Sequence, residues 1–126
     1  MPGVKADPRI TGYFERAPGA AALFFILLQK CAGFGGANYV VQPSGIALGS
    51  PKPYAYAWLP ATGAASAPYL VLTLRLNRRI PSDRFVQIIE VYPGRYAHHL
   101  KLTDPAQLDG EVIRWLREAE ALSHEK

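Results

Sequence analysis

The chain has 126 residues, carries a formal net charge of +4 and is 49% hydrophobic. That length fits one domain over 1–126 with a sizeable core, and acids interleaved among the bases exclude the clustered basic footprint of a nucleic-acid binder. A single cysteine excludes an intramolecular disulfide framework and suits a reducing, cytoplasmic compartment.

The opening residues 1–8 are polar and proline-interrupted, which predicts a loose tail and no signal peptide. Residues 10–16 predict a short helical turn anchored by Tyr13 and Phe14. Pro18 suits a first helical position, and residues 20–31 predict a helix whose run AAALFFILL is apolar all round. Such a run is too short to span a bilayer, which takes about 20 apolar residues. Either the domain buries this helix, or one side of it around Leu23 and Leu28 forms a homodimer contact. Gly33, Gly35 and Gly36 end it.

Short strands are expected over 39–42 and 46–48, around Pro43-Ser44-Gly45. The glycine-rich stretch there has neither GxxxxGK[ST] nor GxGxxG, so it is not a phosphate loop. A third strand, 54–59, puts Tyr54, Tyr56 and Trp58 on one face, and the sequence leaves open whether that face is core or solvent. Residues 60–68 predict a small flexible loop. In the strand 69–76, Leu70, Leu72, Leu74 and Leu76 alternate toward the core, and Tyr69, Val71, Thr73 and Arg75 face away.

Residues 85–102, FVQIIEVYPGRYAHHLKL, predict a hairpin turning at Pro93-Gly94, with Tyr92 opposite Arg95. Unbroken alternation then places Phe85, Ile89, Val91, Tyr96, His98, Leu100 and Leu102 on the core face. The other face takes Val86, Ile88, Glu90, Tyr92, Arg95, Ala97, His99 and Lys101, with Glu90 in a cross-strand ion pair to Arg95 or His99. Asp104 as N-cap, Pro105 at the first position and Gln107 at the third predict a capping box that opens the last helix. Leu108, Val112, Trp115, Leu116, Ala119 and Leu122 form its apolar stripe, and Ser123 onward frays.

The chain nominates no catalytic constellation. Cys31 ends an apolar helix, Ser44 lacks a GxSxG context, and no pair of carboxylates stands apart. His98 and His99 point to opposite faces of a strand, so they do not share a metal; one is expected in the core and one at the surface. The candidate site is the sheet face away from the helices. It collects Arg75, Arg95, His99 and Lys101, joined by Tyr56 and Trp58 if their strand faces the same way. Such a face suits a small anionic or aromatic ligand; stacking of single-stranded nucleic acid is disfavoured by the charge pattern.

With PGRYAHHLKL followed by DPAQLDGEVIRWLREAEAL, the sequence resembles a bacterial family of small domains of unknown function. Its members carry an AWLP-like strand end, a VLTL-like strand, a PGR-aromatic-x-HH hairpin and a WLREA-like helix, here at 56–60, 71–74, 93–99 and 115–119. The resemblance spans roughly 10–122 and is similar in turn to the YdhG-like superfamily, which implies an antiparallel sheet backed by helices. It implies no catalytic residues. Some superfamily relatives are frataxin-like iron chaperones, a role that needs clustered hard oxygen ligands, whereas the helix acids here alternate with arginines.

The expectation is an α+β domain, with a five- or six-stranded antiparallel sheet and two main helices on one face. The expected function is non-catalytic binding of a small anionic or aromatic ligand on the open sheet face, without cofactor or metal. The alternatives are a homodimeric interaction module and frataxin-like metal handling.

Overall fold

The computed structural model describes residues 7–15, 17–49, 52–59 and 69–124. Two helices come first, α1 (Pro8–Tyr13) and α2 (Pro18–Ala32). Six strands follow: β1 (Tyr39–Gln42), β2 (Gly45–Leu48), β3 (Ala55–Trp58), β4 (Leu70–Leu76), β5 (Phe85–Tyr92) and β6 (Arg95–Leu102). A 3-10 turn (Pro105–Gln107) leads into α3 (Gly110–Ser123). The strands form one antiparallel sheet in the order β1-β2-β3-β4-β6-β5, and α2 and α3 pack on one face of it. This is the expected α+β architecture, with six strands. The expected loop 60–68 and most of the expected tails lie outside the described residues. Within the first tail, Asp7 caps α1 through its side chain and Pro8 begins the helix.

The core follows from alternation. Leu70, Leu72, Leu74 and Leu76 of β4 are fully buried, and register sets Leu72 between Ala57 and Leu100. Helix α2 buries Leu23, Phe24, Leu27, Leu28 and Cys31 against this layer, leaving Phe25 and Ile26 half-covered. Its all-round apolar run is thus used mostly inside its own domain. Two glycines and a tyrosine close its end. Gly35 has φ 80°, and Gly36 lies so close to Tyr54 that a Cβ there would meet the phenol oxygen at 2.7 Å. Tyr54 donates to the Gly36 carbonyl at 2.6 Å. Tyr54 is therefore a buried residue ahead of β3, against the expectation that it shares a face with Tyr56 and Trp58.

The hairpin differs from unbroken alternation. Tyr92 faces Arg95 as expected, and Gly94 at φ 78° fits the third position of a type II turn. Register then slips at Val91 and again at Val86, so Ile88 rather than Ile89 lies opposite His98. Each slip is a bulge that reverses the facing of the residues beyond it. Ile89 and Val91 are consequently exposed at 40% and 48%, and Ile88 packs against the core. Glu90 makes no ion pair among the described residues; its carboxylate accepts from the Gly94 amide at 3.3 Å.

The last helix is capped in two stages. Asp104 and Gln107 form the expected capping box, but it closes only the 3-10 turn. Asp109 then caps α3 by accepting from the Val112 amide. The chain breaks between them because Leu108, buried in the core, leaves helical geometry at ψ 62°. Arg84 anchors this junction. Its guanidinium donates to Asp109, Glu111 and the Gln107 carbonyl at 2.8–3.2 Å, and it lies over the Trp115 ring.

Candidate functional site

Register places all six candidate side chains on the sheet face away from the helices. Thr73 lies between Tyr56 and His99, Val71 between Trp58 and Lys101, and Arg75 opposite Ala97. Arg95 follows two positions along β6, on the same face. The structure divides these six into two groups along the strands. Four positions, or roughly 13 Å, separate Arg75 from Val71 on β4.

The first group is a hydrogen-bonded array across three strands. Trp58 Nε1 donates to Thr73 Oγ1 at 2.8 Å, and Thr73 Oγ1 lies 2.7 Å from His99 Nδ1. An indole nitrogen can only donate, so the hydroxyl accepts from Trp58 and keeps its own proton free for His99 Nδ1 in the tautomer that accepts there. Neutral His99 then carries its hydrogen on Nε2. Burial pushes the His99 pKa down, which favours that neutral form. The His99 ring also meets Trp58 edge-on at 5.8 Å. A hydroxyl beside an imidazole is the contact a nucleophile needs, but Thr73 is only 7% exposed and already engaged by the indole. The array fixes side chains rather than presenting a nucleophile. Lys101 stands beyond it with its ammonium 4.4 Å from the Tyr69 ring centre.

The second group lies at the hairpin end of the sheet, in a cleft of about 320 Å³. Arg75 and Arg95 line one side, and Lys52 and Pro53 enter from the approach to β3. Tyr92 contributes from the end of β5, and Ala119, Leu122 and Ser123 from the last turns of α3. The local cause is strand pairing: the Arg75 amide donates to the Tyr54 carbonyl at 3.2 Å, which brings the segment before β3 alongside the end of β4. Lys52 and the Leu122 wall were missed by reading strands singly. The signal for Lys52 was present, since antiparallel β3 and β4 must juxtapose residue 75 with the residues preceding β3.

The electrostatics of the cleft are uneven. Three described arginines are half-buried: Arg75, Arg84 and Arg95. Arg84 is neutralised by Asp109 and Glu111. Neither Arg75 nor Arg95 has a carboxylate within ion-pair distance among the described residues. Elsewhere Arg78 pairs with Glu118, and Arg9 with Asp7, whose carboxyl is held well below the usual range by the Arg9 guanidinium and by the Tyr39 hydroxyl. Glu120, on the α3 turn beside the cleft, is joined to His124 at 2.5 Å.

The remaining reactive residues are structural. His98 is fully buried; its Nε2 accepts from the Ile80 amide at 3.1 Å, its Nδ1 faces the Tyr96 carbonyl, and its ring packs on Phe85. Burial pushes the Cys31 thiol up to about 11, so it is protonated at neutral pH. Ser44 is an exposed turn residue whose carbonyl accepts from Tyr13. Among the described residues no group of three or more His, Cys, Asp or Glu side chains is placed to hold a metal ion. No described helix is long and apolar enough to cross a membrane. Comparison of the chain with known protein families, curated proteins and solved structures finds no match.

Proposed function

We propose that this chain is a non-catalytic binding or accessory domain that holds a small anionic or aromatic ligand at the hairpin end of the sheet, in the cleft between Arg75 and Arg95 of the open face and the last turns of α3. The observation that carries this reading is the contrast among the half-buried arginines. Holding a cation partly out of water without a counter-charge costs free energy, so a carboxylate beside it is the usual arrangement. Arg84 has two, and the cleft arginines have none among the described residues. A ligand anion would supply the missing charge through bidentate hydrogen bonds. The reading includes a cytoplasmic location, in keeping with the single thiol, and kinship with the small-domain family of the YdhG-like superfamily, supported by the order of its motifs. Frataxin-like metal handling has no donor cluster among the described residues to support it.

The test is a thermal-shift screen of carboxylates, phosphates and aromatic metabolites against the wild type and an Arg75→Gln, Arg95→Gln double variant. A ligand that binds only the folded state raises the midpoint. The reading expects anions to raise it in the wild type and not in the double variant; equal shifts in both would place the site elsewhere.

A second reading, a homodimeric interaction module, is favoured by exposed apolar side chains. Val86, Ile89, Val91 and Tyr92 of edge strand β5 stand 40–65% exposed, whereas the helix around Leu23 and Leu28 is largely covered by its own domain. Light scattering on the eluting protein separates the readings, because a strict monomer removes this one.

A further inference from the structure

Resting on the anion-binding reading of the cleft, we infer that its ligand is a phosphate monoester bearing a single small apolar or aromatic group, the phosphate held by Arg75 and Arg95 and the organic body lying toward Tyr92 and Leu122. Four observations lead to this class. The cationic wall contains two guanidiniums and the Lys52 ammonium, and no carboxylate among the lining residues reduces that charge. A doubly charged tetrahedral group matches two planar forks better than a single carboxylate, because its oxygens can serve both guanidiniums at once.

The opposite wall is built differently. There Ala119 and Leu122 offer apolar surface, while Tyr92, the cross-strand neighbour of Arg95, adds an aromatic ring 52% exposed beside the cationic wall. The opposite wall also carries the C-terminal end of α3, the negative end of the helix dipole. An anionic head is repelled there and drawn to the arginines, so the ligand has one orientation. The volume of about 320 Å³ lies at the lower end of ligand sites, which fits one ring or a short chain. Chemistry at the phosphorus is not implied, since the Ser123 hydroxyl donates to the Glu120 carbonyl and no histidine or carboxylate lines the cleft to activate it.

The discriminating property is the charge of the ligand. A phosphate monoester passes from one negative charge to two with a pKa of about 6, whereas benzoate is singly charged throughout the range from pH 5 to 7.5. The charged groups lining the cleft are Lys52, Arg75 and Arg95; Glu120 and its partner His124 lie on the last turns of α3, outside the lining. His124 is the imidazole on the last turn of α3, joined to Glu120, so His124→Gln serves as the control.

The experiment is isothermal titration of the full chain with phenyl phosphate, inorganic phosphate and benzoate at pH 7.5 and pH 5. The inference expects phenyl phosphate to bind at least tenfold tighter than benzoate and than inorganic phosphate at pH 7.5. Its affinity should fall severalfold at pH 5, equally in His124→Gln, while that of benzoate stays level. Arg75→Gln and Arg95→Gln should each weaken phenyl phosphate about tenfold. Leu122→Asn should bring it down to the level of inorganic phosphate, with the far-ultraviolet spectrum unchanged. Benzoate binding as tightly as phenyl phosphate, through the same arginines, would overturn the phosphate assignment and leave the anion-binding reading standing. Absence of binding by all three probes to folded wild-type protein would overturn both.

Discussion

His98 shows how one buried side chain couples the fold to pH. Burial pushes its pKa below the ordinary 6.5 of an imidazole, and the charges of Arg79 and Arg78 push in the same direction. Geometry agrees, because Nε2 already accepts from the Ile80 amide and a proton there would oppose that N–H. Below about pH 6.5 the unfolded chain takes up this proton while the folded chain resists it. The contribution to stability is therefore complete above pH 6.5 and is lost as pH falls toward the folded-state value, by up to about 1.4 kcal/mol per pH unit for each such histidine. His99, also lowered by burial, acts with the same sign. Urea unfolding at pH 7.5 and pH 5.5 is expected to show lower stability at the acid end, with roughly half the difference removed in His98→Gln, which keeps an acceptor but does not titrate. His98→Leu instead strands the Ile80 amide and is expected to cost about 1–3 kcal/mol at both pH values.

At the scale of elements, the hairpin and the last helix carry the sharpest tests. With bulges at Val86 and Val91, Ile88 faces the core and Ile89 faces solvent. Ile88→Ala is expected to lower stability by about 1–2 kcal/mol, and Ile89→Ala by less than about 0.5 kcal/mol. The reverse order in denaturant titrations would restore the unbulged register. In the same assay Asp109→Ala is expected to cost about 1 kcal/mol or more, because it removes both the α3 cap and a partner of Arg84. Asp104→Ala, which uncaps only a 3-10 turn, should cost less. The strands themselves were legible in the sequence: the Leu70 to Leu76 alternation gives β4 and its facing directly, and the Pro93-Gly94 turn fixes Tyr92 against Arg95. The bulges were not legible, because FVQIIEVY is apolar enough to satisfy either phase and the choice is made by packing against His98 and the core. The helix start was misplaced for a related reason. Both Asp104 and Asp109 are good caps, and only the burial of Leu108 shows that the chain breaks between them.

At the scale of the molecule, the sheet has one face committed to the core and one that carries the candidate side chains, and the cleft opens at the hairpin end, where α3 also reaches. Alternation alone sorted Arg75, Arg95, His99 and Lys101 onto that outer face, and β3 register added Tyr56 and Trp58. What alternation does not convey is distance along the strands. It could not separate the Trp58–Thr73–His99 array, whose polar groups satisfy one another, from Arg75 and Arg95, which find no carboxylate among the described residues. Nor could it bring Lys52 and Leu122, far apart in sequence, to the same cleft. If the two arginines are kept for a ligand rather than for the fold, removing their charge should not weaken the empty protein. The most direct measurement is the unfolding midpoint of wild type and of the Arg75→Gln, Arg95→Gln double variant, in anion-poor buffer and with saturating phenyl phosphate. The account predicts the double variant to be within about 0.5 kcal/mol of wild type, or more stable, without ligand. With phenyl phosphate at about 100 times its dissociation constant, the wild type alone should gain roughly 2.7 kcal/mol. A double variant that unfolds well below wild type in the absence of ligand, or that responds to phenyl phosphate as wild type does, would contradict it.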